Sequence, residues 1–223
     1  MKRFVLSSFL LFVCGTLSAQ ILRFQPSFHQ PPLVLDSTYV TAQGTPVAVS
    51  VLRFYVSHVQ LLNGNAVVWQ EPDSYHLVDM ADSASLRIAL PSNVTANRLS
   101  FLLGTDSLAN VSGAMGGALD PSKGMYWAWN SGYINFKLEG TSPVCTSRNN
   151  AFQFHLGGYS YPNATVQQVS LKLSDASVTV VVDVAQLLAA VDLKVLSKVM
   201  SPCAEAVALS KQAATIFRVK DEE

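Results

Sequence analysis

Apolar and polar positions alternate through most of the chain with the period of two that marks strands, not the wider spacing of an amphipathic helix. Runs rich in Val, Ile, Phe, Tyr and Thr occupy Leu22–Phe28, Val34–Thr41, Pro46–Leu62, Ala66–Gln70, Tyr75–Met80 and Leu86–Leu90. They continue at Arg98–Leu103, Tyr126–Leu138, Ala151–Leu156, Val166–Leu173 and Ser177–Val184. Turn formers stand between them: Asn63-Gly64, Pro72-Asp73, Pro91-Ser92, Asp120-Pro121, Pro143 and Pro162-Asn163. Many short strands at regular spacing predict an all-β fold, an antiparallel β-sandwich. Two C-terminal stretches predict helices: the Leu/Ala/Val-rich Ala185–Met200, and Ala204–Arg218 opened by Ser201-Pro202. No repeat, linker or low-complexity segment divides residues 20–223, which predict a single domain.

Alternation also assigns faces. In the long run, Leu52, Phe54, Val56, His58 and Leu62 share one side, with Arg53, Tyr55 and Ser57 opposite. Phe152, Phe154 and Leu156 point one way, and Gln153 and His155 the other. Met125, Trp127, Trp129, Ser131 and Tyr133 share a face if Tyr126–Leu138 is one strand, so both indoles project together.

The N-terminus follows a different logic. Lys2 and Arg3 precede the apolar run Phe4–Val13, and small residues from Gly15 lead to Ala19. This is the layout of a secretory signal cleaved after Ala19, and it implies a periplasmic or secreted protein. No later run of about 18 apolar residues could span a bilayer. Cleavage would leave Cys145 and Cys203 as the cysteine pair. In an oxidising compartment an even pair reads first as one disulfide, closing a loop of roughly 58 residues, with two free thiols as the alternative.

Charge changes the picture mainly by exclusion. The 223 residues carry 15 Lys+Arg against 15 Asp+Glu, and only 13% are charged. Nucleic-acid binding needs clustered cations that are missing here. Enzyme motifs are missing as well: there is no Gly-x-Ser-x-Gly, phosphate-cradling loop, His-Glu-x-x-His or Cys-x-x-Cys, and a non-enzymatic protein is expected. The four histidines show no metal-site spacing. Asp106, Asn110 and Asp120 could ligate calcium, but Asx-turn chemistry explains them equally. Trp127 and Trp129 fit an aromatic core cluster.

Several segments nevertheless occur together: Arg53-Phe54-Tyr55-Val56-Ser57, Tyr75-His76-Leu77-Val78-Asp79, Gly104-Thr105-Asp106-Ser107 with Asn110, and Ala118-Leu119-Asp120-Pro121. They are followed by Gly124-Met125-Tyr126-Trp127-Ala128-Trp129-Asn130-Ser131-Gly132-Tyr133 and Phe154-His155-Leu156-Gly157-Gly158. In this order they resemble the MbnP-like family of secreted or periplasmic β-sandwich proteins, named after a methanobactin-associated copper-binding protein. The resemblance implies copper binding that depends on a tryptophan oxidised to kynurenine by a diheme cytochrome peroxidase-like partner. It implies His155 as a ligand, Trp127 or Trp129 as the modified residue, and His58 as a further candidate. In the family that the chain resembles, copper-binding members often carry histidine directly after the Tyr-Val of the first motif. Here that position is Ser57 and the histidine follows one residue later, which in a regular strand turns it to the opposite face. The alternative function is a binding or structural module of the cell envelope without metal.

Overall fold

The computed structural model describes residues 19–173 and 178–220; the expected signal up to Ser18, residues 174–177 and the tail at 221–223 lie outside the described residues. The strands are β1 (Ala19–Ser27), β2 (Thr38–Val40), β3 (Pro46–Asn63), β4 (Ala66–Gln70), β5 (Tyr75–Asp79), β6 (Arg87–Pro91) and β7 (Arg98–Leu103). They continue as β8 (Tyr126–Trp127), β9 (Gly132–Thr141), β10 (Ala151–Gly157), β11 (Gln167–Lys172), β12 (Val178–Asp183), β13 (Lys198–Val199) and β14 (Phe217–Val219). Three α-helices join them: α1 (Ser107–Ser112), α2 (Val184–Ala189) and α3 (Ala204–Ala214).

Two sheets face each other. The smaller has the order β14-β12-β1-β6, and the larger runs β11-β7-β3-β9-β10-β13 with β2, β4, β5 and β8 added at its margins. The expected β-sandwich with C-terminal helices is therefore present. Within it lie two parallel pairings, β1 with β12 and β10 with β13. Alternation in β3 and β9 sends Leu52, Phe54, Phe136 and Leu138 inward, where Phe24 and Phe217 of the smaller sheet meet them. The main core is this interdigitation of two apolar faces.

A second, smaller core lies on the outer face of the larger sheet. The segment between β7 and β9 folds back over that face and buries Tyr55, Ala109, Leu119, Met125, Trp127, Tyr133 and Ile134 together. Tyr133 ties the segment down by donating its hydroxyl to the Leu119 carbonyl at 3.0 Å, while Asn110 Oδ1 accepts from the Tyr133 amide at 2.8 Å.

Four expectations are corrected. The single run Tyr126–Leu138 is two strands, because residues 128–131 form a turn closed by the Asn130 amide on the Trp127 carbonyl at 3.2 Å. Asn130 and Ser131 are turn formers, and Ser131 adopts a positive φ of 47°. Ala185–Met200 is helical only over Val184–Ala189; Asp192 then bonds the Lys194 amide in an Asx turn, and Lys198–Val199 pairs with β10. Ala204–Arg218 stops at Ala214 because Phe217 joins the smaller sheet. Cys145 and Cys203 are free thiols, not a disulfide. Cys145 is buried in the main core, whereas the Cys203 sulfur caps α3 by accepting from the Ala206 amide.

Candidate metal centre

His155 sits on β10, in register with Lys137 of β9, which in turn faces Arg53 of β3. Because Phe154 and Leu156 enter the main core, His155 and Gly157 point to the outer face. The imidazole is 6% exposed, and its Nε2 lies 2.5 Å from Glu139 Oε1. Lys137 Nζ is 3.4 Å from the same oxygen.

Trp127 covers the next outward position. A β-carbon built on Gly157 would stand 2.7 Å from Trp127 Cζ3, so the indole rests directly on the glycine backbone. His155 lies two residues before Gly157, about 7 Å of strand, with a register irregularity between Leu156 and Gly157. Trp127 therefore packs on the same strand that carries His155, two residues along from it. Trp129 belongs to the turn, not to the strand face. Its ring lies 5.6 Å from that of Trp127 and is 66% exposed, whereas Trp127 is 6% exposed.

His58 behaves otherwise than strict alternation predicts. The register of β3 against β7 shifts between Ser57 and Gln60, and His58 has a φ of 52°. This bulge moves His58 out of the apolar set, and Val59 and Leu61 take the inward positions instead. His58 Nε2 lies 2.6 Å from Asp106 Oδ2, which also accepts the Tyr75 hydroxyl at 2.9 Å. Burial and Asp106 push the Tyr75 phenol up to about 12. Ser57, the position directly after Tyr-Val, is buried and donates to the Gly104 carbonyl at 2.7 Å. His58 and His155 are separated by two strand spacings and five strand positions, roughly 20 Å, too far to share one ion.

The remaining polar candidates have structural partners. Asp106 accepts from the Ala109 amide at 2.8 Å to cap α1, and Asp120 accepts from the Ser122 amide at 2.8 Å. The Asn110 amide group bonds Thr105 Oγ1 and the Asp106 carbonyl. His76 pairs with Glu71 at 2.8 Å. Among the described residues no three His, Cys, Asp or Glu side chains converge as a metal site.

The family model for MbnP matches residues 18–201. The chain belongs to the MbnP family. The solved structure of MbnP from Methylosinus trichosporium is similar in fold, with a TM-score of 0.56 at 14% identity over 83% of this chain and 82% of that one. Comparison with curated protein sequences gives no match. The matched MbnP span takes in the second core, the main core apart from its residues from α3 onward, the Trp127 turn and the His155 strand.

Electrostatics set the state of the His155 pair in this MbnP member. Burial lowers the imidazole's proton affinity, with Lys137 and Lys198 adding to it, and these outweigh the opposing pull of Glu139. Burial would raise Glu139, but the His155 hydrogen bond and the Lys137 ammonium hold its carboxyl below the ordinary range. A neutral imidazole donating from Nε2 to an ionised carboxylate leaves the Nδ1 lone pair available. Nδ1 makes no hydrogen bond among the described residues.

The pH dependence follows in sign. An imidazole with a depressed folded value takes up its proton more readily in the unfolded chain, so stability should fall as pH drops below about 6.5. A further loss should follow below about 4.5, as Glu139 and Asp106, both depressed in the fold, are protonated. Urea unfolding midpoints from pH 8 to pH 5 check the first limb. His155→Gln, which can still donate to Glu139, should flatten it.

The bulge left a trace in the sequence. Inward residues fall on Leu52, Phe54 and Val56 but then on Val59 and Leu61, so the alternation changes phase across Ser57-His58. The Glu139 partner of His155 left no such trace, because it comes from a different strand.

Proposed function

We propose that this protein is an extracytoplasmic copper-binding protein whose site forms around His155 once Trp127 has been oxidised to kynurenine. The observation that carries the reading is the packing of the Trp127 indole on Gly157, two residues from His155 on the same strand. Family membership supports it.

The donor chemistry fits. Imidazole suits copper, and a ligating histidine commonly donates its second ring N–H to a carboxylate, the relation that Glu139 has to His155. Among the described residues, the unmodified chain offers too few converging donors for a preformed centre. Ring opening would supply an aromatic amine and a ketone beside the histidine, so the modification would itself complete the site. Trp127 is the better candidate than Trp129 because its ring lies against the His155 strand. The nearby exposed Trp129 ring offers a surface contact for a diheme peroxidase-like partner that would remove the electrons. Copper bound there would be held by the His155 Nδ1 and by the amine and ketone of the opened ring. The role is binding and carriage, not catalysis.

Mass spectrometry of protein matured beside its oxidising partner tests the reading. The peptide containing Trp127 should gain one oxygen and lose one carbon, and the protein should retain copper that His155→Ala loses. Intact Trp127 together with no retained copper would overturn the proposal and leave a metal-free envelope binding module.

A further inference from the structure

Beside the turn that carries Trp129 lies an open pocket of about 370 Å³, walled by that indole, Tyr159 and four polar side chains: Asn130, Ser160, Asn163 and Ser201. Among the described residues, no charged side chain lines it. None of those four side chains makes a hydrogen bond among the described residues, although each is a ready donor and acceptor. The Trp129 indole is 66% exposed, so one ring face is open to the pocket.

The framework around the pocket is fixed. The Trp129 turn is closed by the Asn130 amide on the Trp127 carbonyl at 3.2 Å. The opposite wall is held by the Asn163 amide on the Ser160 carbonyl at 2.9 Å and the Thr165 amide on the Gly158 carbonyl at 3.0 Å. Gly158 has a φ of +130°, and a β-carbon there would stand 2.3 Å from the Asn163 carbonyl oxygen, so glycine permits the close approach that shapes this wall.

We infer that this pocket binds a neutral saccharide, with one sugar ring stacked on Trp129 and its hydroxyls bonded by the surrounding amides and hydroxyls. The complementarity is chemical. A pyranose has an apolar face of C–H groups and an edge of hydroxyls that both donate and accept. The pocket offers a flat aromatic surface flanked by groups of the same dual character and no fixed charge. An anion would find no cation here, and an apolar ligand would strand the amides without partners. The site uses Trp129, not the ring proposed for oxidation, so its failure and the failure of the copper reading are distinguishable.

The test uses protein produced without the oxidising partner, so that both indoles are intact. Its indole N–H signals are followed by NMR during titration with neutral tetrasaccharides of glucose, mannose and N-acetylglucosamine, into the millimolar range. At least one of the three should give a saturable shift of the Trp129 signal. In Trp129→Ala, which lacks that signal, calorimetric titration with the same sugar should show binding weaker by about tenfold or more, with little change in unfolding midpoint because the ring is exposed. Asn163→Ala should weaken it less. No saturable shift with any of the three sugars would overturn the inference, as would undiminished binding by Trp129→Ala.

Discussion

Phe54→Ala is expected to lower the unfolding free energy by about 4 kcal/mol, read as a lower urea midpoint with an unchanged slope. Phe54 is completely buried where the two sheets meet. It packs edge-on against Phe24 and Phe217 of the smaller sheet, with centroids at 5.6 and 5.5 Å, and stacks on Phe136 of its own sheet at 5.9 Å. Truncation removes the transfer free energy of the ring and leaves a cavity among three other rings. Those rings are anchored on separate strands, so the gap closes poorly. A loss below about 1 kcal/mol would mean that the sheets do not meet through this cluster.

Gly157→Ala should have the second largest effect, about 3 kcal/mol, and it should also move Trp127. The added β-carbon would stand 2.6 Å from the Tyr133 carbonyl oxygen and 2.7 Å from Trp127 Cζ3. The oxygen belongs to backbone within the strand layer and cannot swing aside, so the indole and the strand spacing must give. Tryptophan emission should shift toward the red as the ring gains water, and copper retention after maturation should fall with it. Gly116→Ala supplies the control: a β-carbon there meets nothing within 4 Å, and the change should be close to neutral. An unmoved emission spectrum in Gly157→Ala would show that Trp127 does not rest on this glycine.

Much of the site can be read in the chain, though not its pairing. The alternation around Phe152, Phe154 and Leu156 already put His155 on the outer face, and that placement holds. The expectation that both indoles project from one strand does not. Asn130-Ser131-Gly132 carries turn chemistry strong enough to have divided the run, leaving Trp127 on a strand and Trp129 at the tip. At His58 the one-residue offset from the expected ligand position is absorbed by a bulge. The side chain still reaches the outer face, but there Asp106 takes it up.

What the sequence determined by itself was the two-layer β architecture and its main core, because a period of two is a local property that each strand carries independently. Family membership was equally legible, since it rests on the order of short motifs. Only the tertiary structure decided which outward residues meet. Trp127 lies on Gly157 thirty residues further on, and Glu139 faces His155 across the pairing of the successive strands β9 and β10. It also decided the fate of Cys145 and Cys203: sharing a compartment suggested a bond, but each sulfur was drawn to a different local role, one in the core and one capping a helix. Strand register sets such meetings, and it is fixed by the packing of the whole sheet, so no single segment contains it.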